Sequence, residues 1–152
     1  MIANPPQGAT AMPSELLPLG LAIKRVQHRH HRALDAGLIE IGTTLAQSNA
    51  LRAIARHPDS SSHKLAGLTF QTDQSFGALA NRMVERGLIR RVPGEGRAIL
   101  HHLTPEGEAV LEAGRAVSER VLAKSFAPLN KAERAQLQAL LAKMLADDAP
   151  GA

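Results

Sequence analysis

Apolar side chains recur at the spacing of an α-helix along most of the chain, and this pattern predicts a mainly α-helical protein. The first helix is expected from about residue 15 or 18 to residue 36, after a flexible N-terminal arm (residues 1–13) that is interrupted by prolines. Side chains that can accept hydrogen bonds from the free amides of a first turn mark the starts of the later helices. These capping positions are Thr44, residues 59–62, Thr72 or Asp73, Thr104 and Asn130.

Two short segments, residues 88–92 and 98–103, follow the alternating pattern of β-strands instead. The sequence Pro93-Gly94-Glu95-Gly96 between them is typical of a tight reversal, so a small β-hairpin is expected. Before it, two helices are joined by the short turn Thr69-Phe70-Gln71. This order predicts a helix-turn-helix, in which the second helix lies in the major groove of DNA and the first braces it.

The second helix of this motif is expected to have two unlike faces. Phe76, Leu79, Ala80 and Met83 recur at the spacing of a buried stripe. Amide side chains can pair with adenine, a guanidinium with guanine, and small residues let the backbone approach the bases. The candidate DNA-contacting residues on the outward face are Asp73, Gln74, Ser75, Gly77, Ala78, Asn81 and Arg82.

Several motifs, in order along the chain, resemble the MarR family of winged helix-turn-helix regulators. Thr44 and Gln47 resemble the Thr-x-x-Gln that opens the family's second helix, and residues 81–89 resemble the end of its recognition helix. Glu95-Gly96-Arg97 resembles the acid-x-Arg motif of the family's wing, and residues 103–107 resemble its Leu-Thr-x-x-Gly junction. The resemblance covers residues 38–126, and it is specific because the motifs occur together and in order.

The chain also departs from the family pattern. Thr69-Phe70-Gln71 replaces the small and aliphatic residues of the usual turn, and the wing tip is a residue or two shorter. Gly77 and Ala78 occupy positions often filled by Thr and Arg. Fewer or different base contacts are therefore expected from this helix.

The resemblance implies a homodimer that binds double-stranded DNA. Residues 14–36 and 104–147 would form a helical dimerisation region, residues 38–103 the winged DNA-binding head, and residues 148–152 a tail. Apolar stripes in the outer helices agree with this division, and two-fold symmetry then requires a pseudo-palindromic operator. The candidate dimer contacts are Leu19, Ile23, Leu137, Leu141, Met144 and Leu145.

The family also implies contacts from the wing and control by a ligand. The candidate wing contacts are Arg90, Arg91, Glu95 and Arg97, and Glu95 is expected to hold the Arg97 guanidinium in an ion pair. A regulator of this kind, expected here to be a repressor, is released from DNA by a small effector, often an aromatic anion. No cofactor is expected.

The distribution of charge along the chain agrees with binding to a nucleic acid. The net charge is +4, and twelve of the eighteen Lys and Arg residues precede Thr104. Five arginines lie between residues 82 and 97, which is the pattern of a phosphate-binding surface, although a solvated face gives the same pattern. The absence of Cys excludes disulfides and thiol-based switches. No apolar run has the length of a membrane span and no signal peptide is recognised, so a cytoplasmic location is expected.

Other functions find less support in the sequence. The Ser60-Ser61-Ser62-His63 segment suits helix capping better than catalysis, and no enzyme is predicted. His28, His30 and His31 lack the converging third and fourth ligands of a metal site, so no metal is predicted. Two alternatives stay open: a winged helix used only for protein contacts, and a metal-responsive regulator that uses these histidines.

Overall fold

The computed structural model describes residues 14–146, so the expected N-terminal arm and tail lie outside the described range. Within it the chain is mainly helical with a two-stranded antiparallel hairpin, as predicted. No helix in this range is long and apolar enough to cross a membrane. The elements are α1 (Leu16–Glu40), α2 (Leu45–Arg56), α3 (Ser62–Leu68), α4 (Asp73–Glu85), β1 (Ile89–Pro93), β2 (Ile99–Leu103), α5 (Pro105–Phe126) and α6 (Lys131–Met144).

The predicted capping positions start the helices as expected. The side chains of Thr44, Ser61, Thr72, Thr104 and Asn130 each accept a hydrogen bond from the backbone amide three residues further on. At α6 the cap is reciprocal, because the Glu133 carboxylate accepts in return from the Asn130 amide at 2.8 Å. The Thr-x-x-Gln spacing of Thr44 and Gln47 predicts a reciprocal cap at α2 as well. That prediction is wrong, because the Gln47 side chain is buried and accepts from Thr43 at 3.1 Å instead.

The end of α1 also differs from the prediction. The helix does not stop at residue 36 but runs through Gly37 to Glu40. Gly37 is a contact point for α5, because a Cβ there would lie 2.7 Å from Cγ1 of Val117. In the sequence, a glycine that makes room for a crossing helix cannot be distinguished from a glycine that ends a helix. The boundary predicted near residue 37 therefore falls within a continuous helix.

One contiguous hydrophobic core holds the three helices of the predicted head and the hairpin together. Its largest fully buried members are Phe76 and Met83 of α4, Leu51 and Ile54 of α2, and Leu65 of α3. The first residue of the hairpin, Ile89, is buried in the same cluster. Because every element contributes to one core, the outer surface of α4 is held in a fixed relation to the hairpin.

The hairpin pairs Ile89 with Leu103 and continues to the pair Pro93 and Ile99. At its tip the Ala98 amide donates to the Glu95 carbonyl at 3.1 Å, and Gly96 has a φ of 63°, which a glycine adopts without strain. This tight reversal was predicted, and both strands begin one residue later than expected.

The junction between the hairpin and α5 is unusually close. The Thr104 hydroxyl donates to the Gly87 carbonyl at 2.5 Å, and the Thr104 amide donates to the Leu88 carbonyl at 3.1 Å. Gly107 then lies directly against Leu88, since a Cβ on Gly107 would be 1.9 Å from the Leu88 carbonyl oxygen. The Leu-Thr-x-x-Gly sequence is therefore the signature of a backbone-to-backbone contact that has no room for a side chain.

The terminal helices α1 and α6 leave many large apolar side chains uncovered in the single chain. No residue of α6 is buried, and Leu141, Met144 and Leu145 are exposed. Leu19 and Ile23 of α1 are exposed as well, together with Leu16, Leu17, Leu21 and Val26 of the same helix. Exposed apolar area of this extent marks an interaction surface.

Candidate nucleic-acid interface

The two faces predicted for α4 are present. Phe76, Leu79, Ala80 and Met83 are buried, and the outward residues are exposed apart from Gly77, which is half-buried. We call the outward set the outer face of α4. It consists of Asp73, Gln74, Ser75, Gly77, Ala78, Asn81 and Arg82. Gln74, Ala78, Asn81 and Arg82 recur at helical spacing, so they lie along a single line on this face.

The start of the outer face is fixed by its neighbours. Nδ1 of His63, in α3, lies 2.9 Å from both carboxylate oxygens of Asp73. The Thr72 hydroxyl donates to the Ser75 hydroxyl at 3.0 Å while it caps the helix. The imidazole thus holds the Asp73 carboxylate toward α3, and the neighbouring side chain of Gln74 has no partner among residues 14–146.

Asn81, further along the outer face, is joined to the hairpin. The Arg91 guanidinium in β1 donates a hydrogen bond to Oδ1 of Asn81. The contact ties two of the predicted DNA-contacting residues to each other and links α4 to the wing. Because one carbonyl lone pair is taken by Arg91, the amide nitrogen of Asn81 is its freer group for an outside partner.

The arginines of residues 82–97 do not form one continuous stripe. Arg86 donates to Oε1 of Gln47 at 2.7 Å and to the Gly42 carbonyl at 2.9 Å, so it joins α4 to α2 and to the end of α1. Neighbours on a strand point to opposite faces, so Arg90 faces away from Arg91 and from α4. The expectation of one phosphate-binding stripe is wrong for Arg86, which the chain uses internally.

The wing tip leaves its charged residues exposed. Arg90, Glu95 and Arg97 are all exposed, as predicted. The predicted ion pair between Glu95 and Arg97 is not among the salt bridges formed within residues 14–146. Gly96 separates the two residues in a tight turn. The predicted ion pair is therefore wrong, and the Arg97 guanidinium forms no salt bridge with any of residues 14–146.

Strand β2 of the hairpin carries a buried histidine that sequence patterns did not assign to the core. His101 is buried, and its ring meets Phe76 edge-on with the centroids 6.2 Å apart. Burial and the nearby Arg91 guanidinium both lower the pKa of His101 below its ordinary value of 6.5. The neutral imidazole is therefore the form that the head accommodates.

This burial predicts a loss of stability in mild acid. The folded protein resists protonation of His101 while the unfolded chain does not, so the free energy of unfolding should fall as the pH drops below about 6.5. Urea denaturation of the wild type and of His101→Leu at pH 7.5 and pH 5.5 measures the effect. The wild type should lose more stability than the variant between the two pH values, and equal losses would contradict the assignment.

The histidine cluster of α1 has a packing role at one position. Nε2 of His30 lies 2.5 Å from Oγ of Ser125, and its ring packs edge-on against Phe126. Arg29 donates to the same Ser125 hydroxyl at 3.1 Å, while His28 and His31 are exposed. Within residues 14–146 no group of three or more potential ligands lies close enough together to hold a metal ion.

Comparison with known proteins gives matches over most of the chain. A family model described as MarR family matches residues 41–98. The HTH-type transcriptional repressor Rv2887 of Mycobacterium tuberculosis is 26% identical over 132 residues, which are 86% of this chain and 95% of that protein.

Solved structures match the fold as well. A mutant of MarR from E. coli, complexed with operator DNA, has a TM-score of 0.76 and 26% identity, over 86% of this chain and 96% of that chain. The M. tuberculosis protein Rv2887 in complex with salicylic acid has a TM-score of 0.70 and 26% identity, over 84% of this chain and 96% of that chain. These matches extend beyond the head into the outer helices.

Proposed function

Because the chain belongs to the MarR family of winged helix-turn-helix regulators, we propose that it is a cytoplasmic transcriptional repressor that binds a pseudo-palindromic operator as a homodimer. The observation that carries this proposal is the outer face of α4, a line of exposed polar and small residues set on a fully buried stripe. A helix built in this way can enter the major groove without losing its own packing.

The chemistry of the outer face suits base recognition. Gln74 can pair with adenine through both atoms of its amide, and Arg82 can pair with guanine. The methyl group of Ala78 lies between them and can meet a thymine methyl. Asn81, with Oδ1 engaged by Arg91, is expected to act mainly as a donor, so its best partner is an acceptor on a purine edge.

The wing is proposed to bind DNA in a different way. Arg97 is exposed beyond the tight turn of the hairpin and forms no salt bridge within residues 14–146. A guanidinium of this kind fits a narrow, electronegative minor groove, where it contributes affinity with little dependence on sequence. The wing and α4 would thus supply affinity and specificity respectively.

Two substitutions separate these roles. Arg97→Ala should weaken binding to operator and scrambled duplexes almost equally. It should also reduce the steepness of the plot of log affinity against log salt concentration by about one. Gln74→Ala should cost about 1–3 kcal/mol on the operator and much less on scrambled DNA. Fluorescence anisotropy with both duplexes over a salt series measures both effects. If Arg97→Ala leaves both affinities unchanged, the wing does not contact DNA.

The homodimer is proposed from the uncovered apolar surfaces of α1 and α6. Leu19 and Ile23 on one helix, and Leu141, Met144 and Leu145 on the other, are exposed in the single chain, and Leu137 is half-buried. A second copy related by a two-fold axis would cover these side chains and place two heads side by side. The spacing of those heads would set the distance between operator half-sites.

We also propose that a small aromatic anion releases the protein from DNA. Support comes from the complex of the related protein Rv2887 with salicylic acid. Since Cys is absent from the chain, control by thiol oxidation is excluded and a reversible ligand is the simpler means of control. Titration of the protein–operator complex with salicylate tests the proposal, and a complex that persists at saturating salicylate would count against it.

A further inference from the structure

Two helices of the protein end in the same backbone motif, with a glycine in the left-handed position. At the end of α1 the Thr43 amide donates to the Leu38 carbonyl at 3.1 Å, and Gly42 has a φ of 77°. At the end of α4 the Leu88 amide donates to the Met83 carbonyl at 2.9 Å, and Gly87 has a φ of 70°. This is the Schellman motif, which normally uses glycine because a Cβ is disfavoured there.

A third helix, α3, ends in the same motif without a glycine. The Gln71 amide donates to the Ala66 carbonyl at 2.9 Å, and the Phe70 amide donates to the Gly67 carbonyl at 3.1 Å. Phe70 takes the left-handed position with a φ of 55°, and no other non-glycine residue within 14–146 has a positive φ. Phe70 is 99% exposed, so packing within residues 14–146 does not offset the unfavourable backbone.

An exposed aromatic ring on a strained backbone points to a partner outside the single chain. Phe70 lines a cleft of about 310 Å³ between the turn and one side of α2. The α2 side of this cleft carries Arg52, Arg56 and His57. Neither arginine forms a salt bridge within residues 14–146, and Arg52 makes only a long 3.5 Å hydrogen bond to Asn49.

The cleft therefore combines one aromatic ring with two guanidinium groups that form no salt bridge within residues 14–146. Its volume lies at the lower end of the range for small-molecule sites, roughly 300–1,000 Å³, which suits a molecule with a single ring. Guanidinium groups bind carboxylates through paired, charge-assisted hydrogen bonds, and an aromatic side chain stacks on a second ring. We name this site, formed by Arg52, Arg56, His57 and Phe70, the basic cleft.

We propose that the basic cleft binds a small aromatic carboxylate, with the carboxylate on Arg52 and Arg56 and the ring against Phe70. The inference rests on the proposed function and deepens it, because it places an effector within the head. Gln71 and Thr72 follow Phe70 directly, and Thr72 caps α4. A ligand that moves this turn therefore moves the first residues of the outer face of α4, while none of the cleft residues is itself a predicted DNA contact.

The test uses salicylate as the probe, cyclohexanecarboxylate as a non-aromatic acid of similar size, and isothermal titration of the full chain without DNA. Salicylate should bind the wild type, and cyclohexanecarboxylate should bind about three- to tenfold more weakly, since it cannot stack. The double variant Arg52→Met/Arg56→Met should weaken salicylate binding by about ten- to one-hundredfold. Arg25→Met/Arg32→Met on α1, a matched loss of two exposed guanidinium groups away from the cleft, should leave salicylate affinity unchanged.

Phe70→Gly distinguishes binding from folding. Glycine relieves the left-handed backbone, so the melting temperature should rise by about 2–4 °C while salicylate binding weakens by about three- to tenfold. The affinity of this variant for operator in the absence of salicylate should equal that of the wild type. A loss of operator affinity would instead show that the ring contacts DNA, and would overturn the proposal.

The remaining outcomes separate this inference from the proposed function. If the wild type binds operator but not salicylate, or if the double variant binds salicylate like the wild type, the basic cleft is not the site and the repressor proposal stands. If the wild type binds no DNA, the repressor proposal fails. In that case the titrations without DNA still show whether the basic cleft binds salicylate.

Discussion

Replacing Leu141 with Asp should convert the protein to monomers and abolish operator binding together. Leu141 belongs to the exposed apolar stripe of α6, a helix in which no residue is buried within the single chain. In a two-fold dimer the substitution places two carboxylates in an apolar interface, and an unpaired buried charge costs several kcal/mol. A monomer then binds one half-site at a time and loses the affinity that is gained when two linked heads bind together.

Light scattering and anisotropy on the same samples check this prediction. Ala139→Asp, at an exposed position on the side of α6 opposite the apolar stripe, is the matched control and should remain dimeric with wild-type affinity for operator. A Leu141→Asp protein that stays dimeric would show that the α6 stripe is not the dimer contact. A monomer that binds operator like the wild type would separate dimerisation from DNA binding.

Replacing Gly107 with Ala should destabilise the protein by about 1–3 kcal/mol or more. The added Cβ would lie 1.9 Å from the carbonyl oxygen and 2.9 Å from the carbonyl carbon of Leu88. Both are backbone atoms, which cannot move away by a change of side-chain rotamer. Either α5 or the start of the hairpin must move, and the Thr104 hydrogen bonds to Gly87 and Leu88 would then be disturbed.

Urea denaturation measures this effect against Gly67→Ala. Gly67 is also helical, but a Cβ there meets nothing within 4 Å, so alanine should stabilise the protein by roughly 0.5–1 kcal/mol through its helix propensity. Opposite signs for the two variants are the expected result. If Gly107→Ala is as stable as the wild type, the junction is looser than its geometry implies.

Features set by local chemistry could be predicted from the sequence. The caps predicted for the five later helices each begin a helix, because a hydroxyl or amide oxygen three residues from a free amide is a short-range signal. The buried stripe of α4 followed equally from helical spacing, so Phe76 and Met83 were identified as core residues without knowledge of their partners.

Features that depend on distant contacts could not be predicted in this way. Gly37 is needed by α5, eighty residues away in the chain, and so α1 continues where a helix end was expected. Arg86 and Gln47 are 39 residues apart, and nothing near either one indicates their hydrogen bond. The Arg91–Asn81 contact required the hairpin to fold back over α4, which spacing alone does not show.

The Arg91–Asn81 contact also bears on specificity. It couples the wing strand to the outer face of α4, so the donor that Asn81 presents is set by a residue of the hairpin. The recognition helix and the wing therefore act as one surface in the proposed complex.

Selection of bound sequences from a pool of random duplexes with the purified full chain tests the repressor account most directly. The account predicts that one pseudo-palindromic sequence is enriched, with half-sites about one helical turn apart, roughly 10 base pairs, and two chains bound per duplex. Its affinity should fall steeply as the salt concentration rises. A pool with no enriched sequence, or a protein that binds no duplex even at low salt, would contradict it and favour a winged helix that serves protein contacts alone.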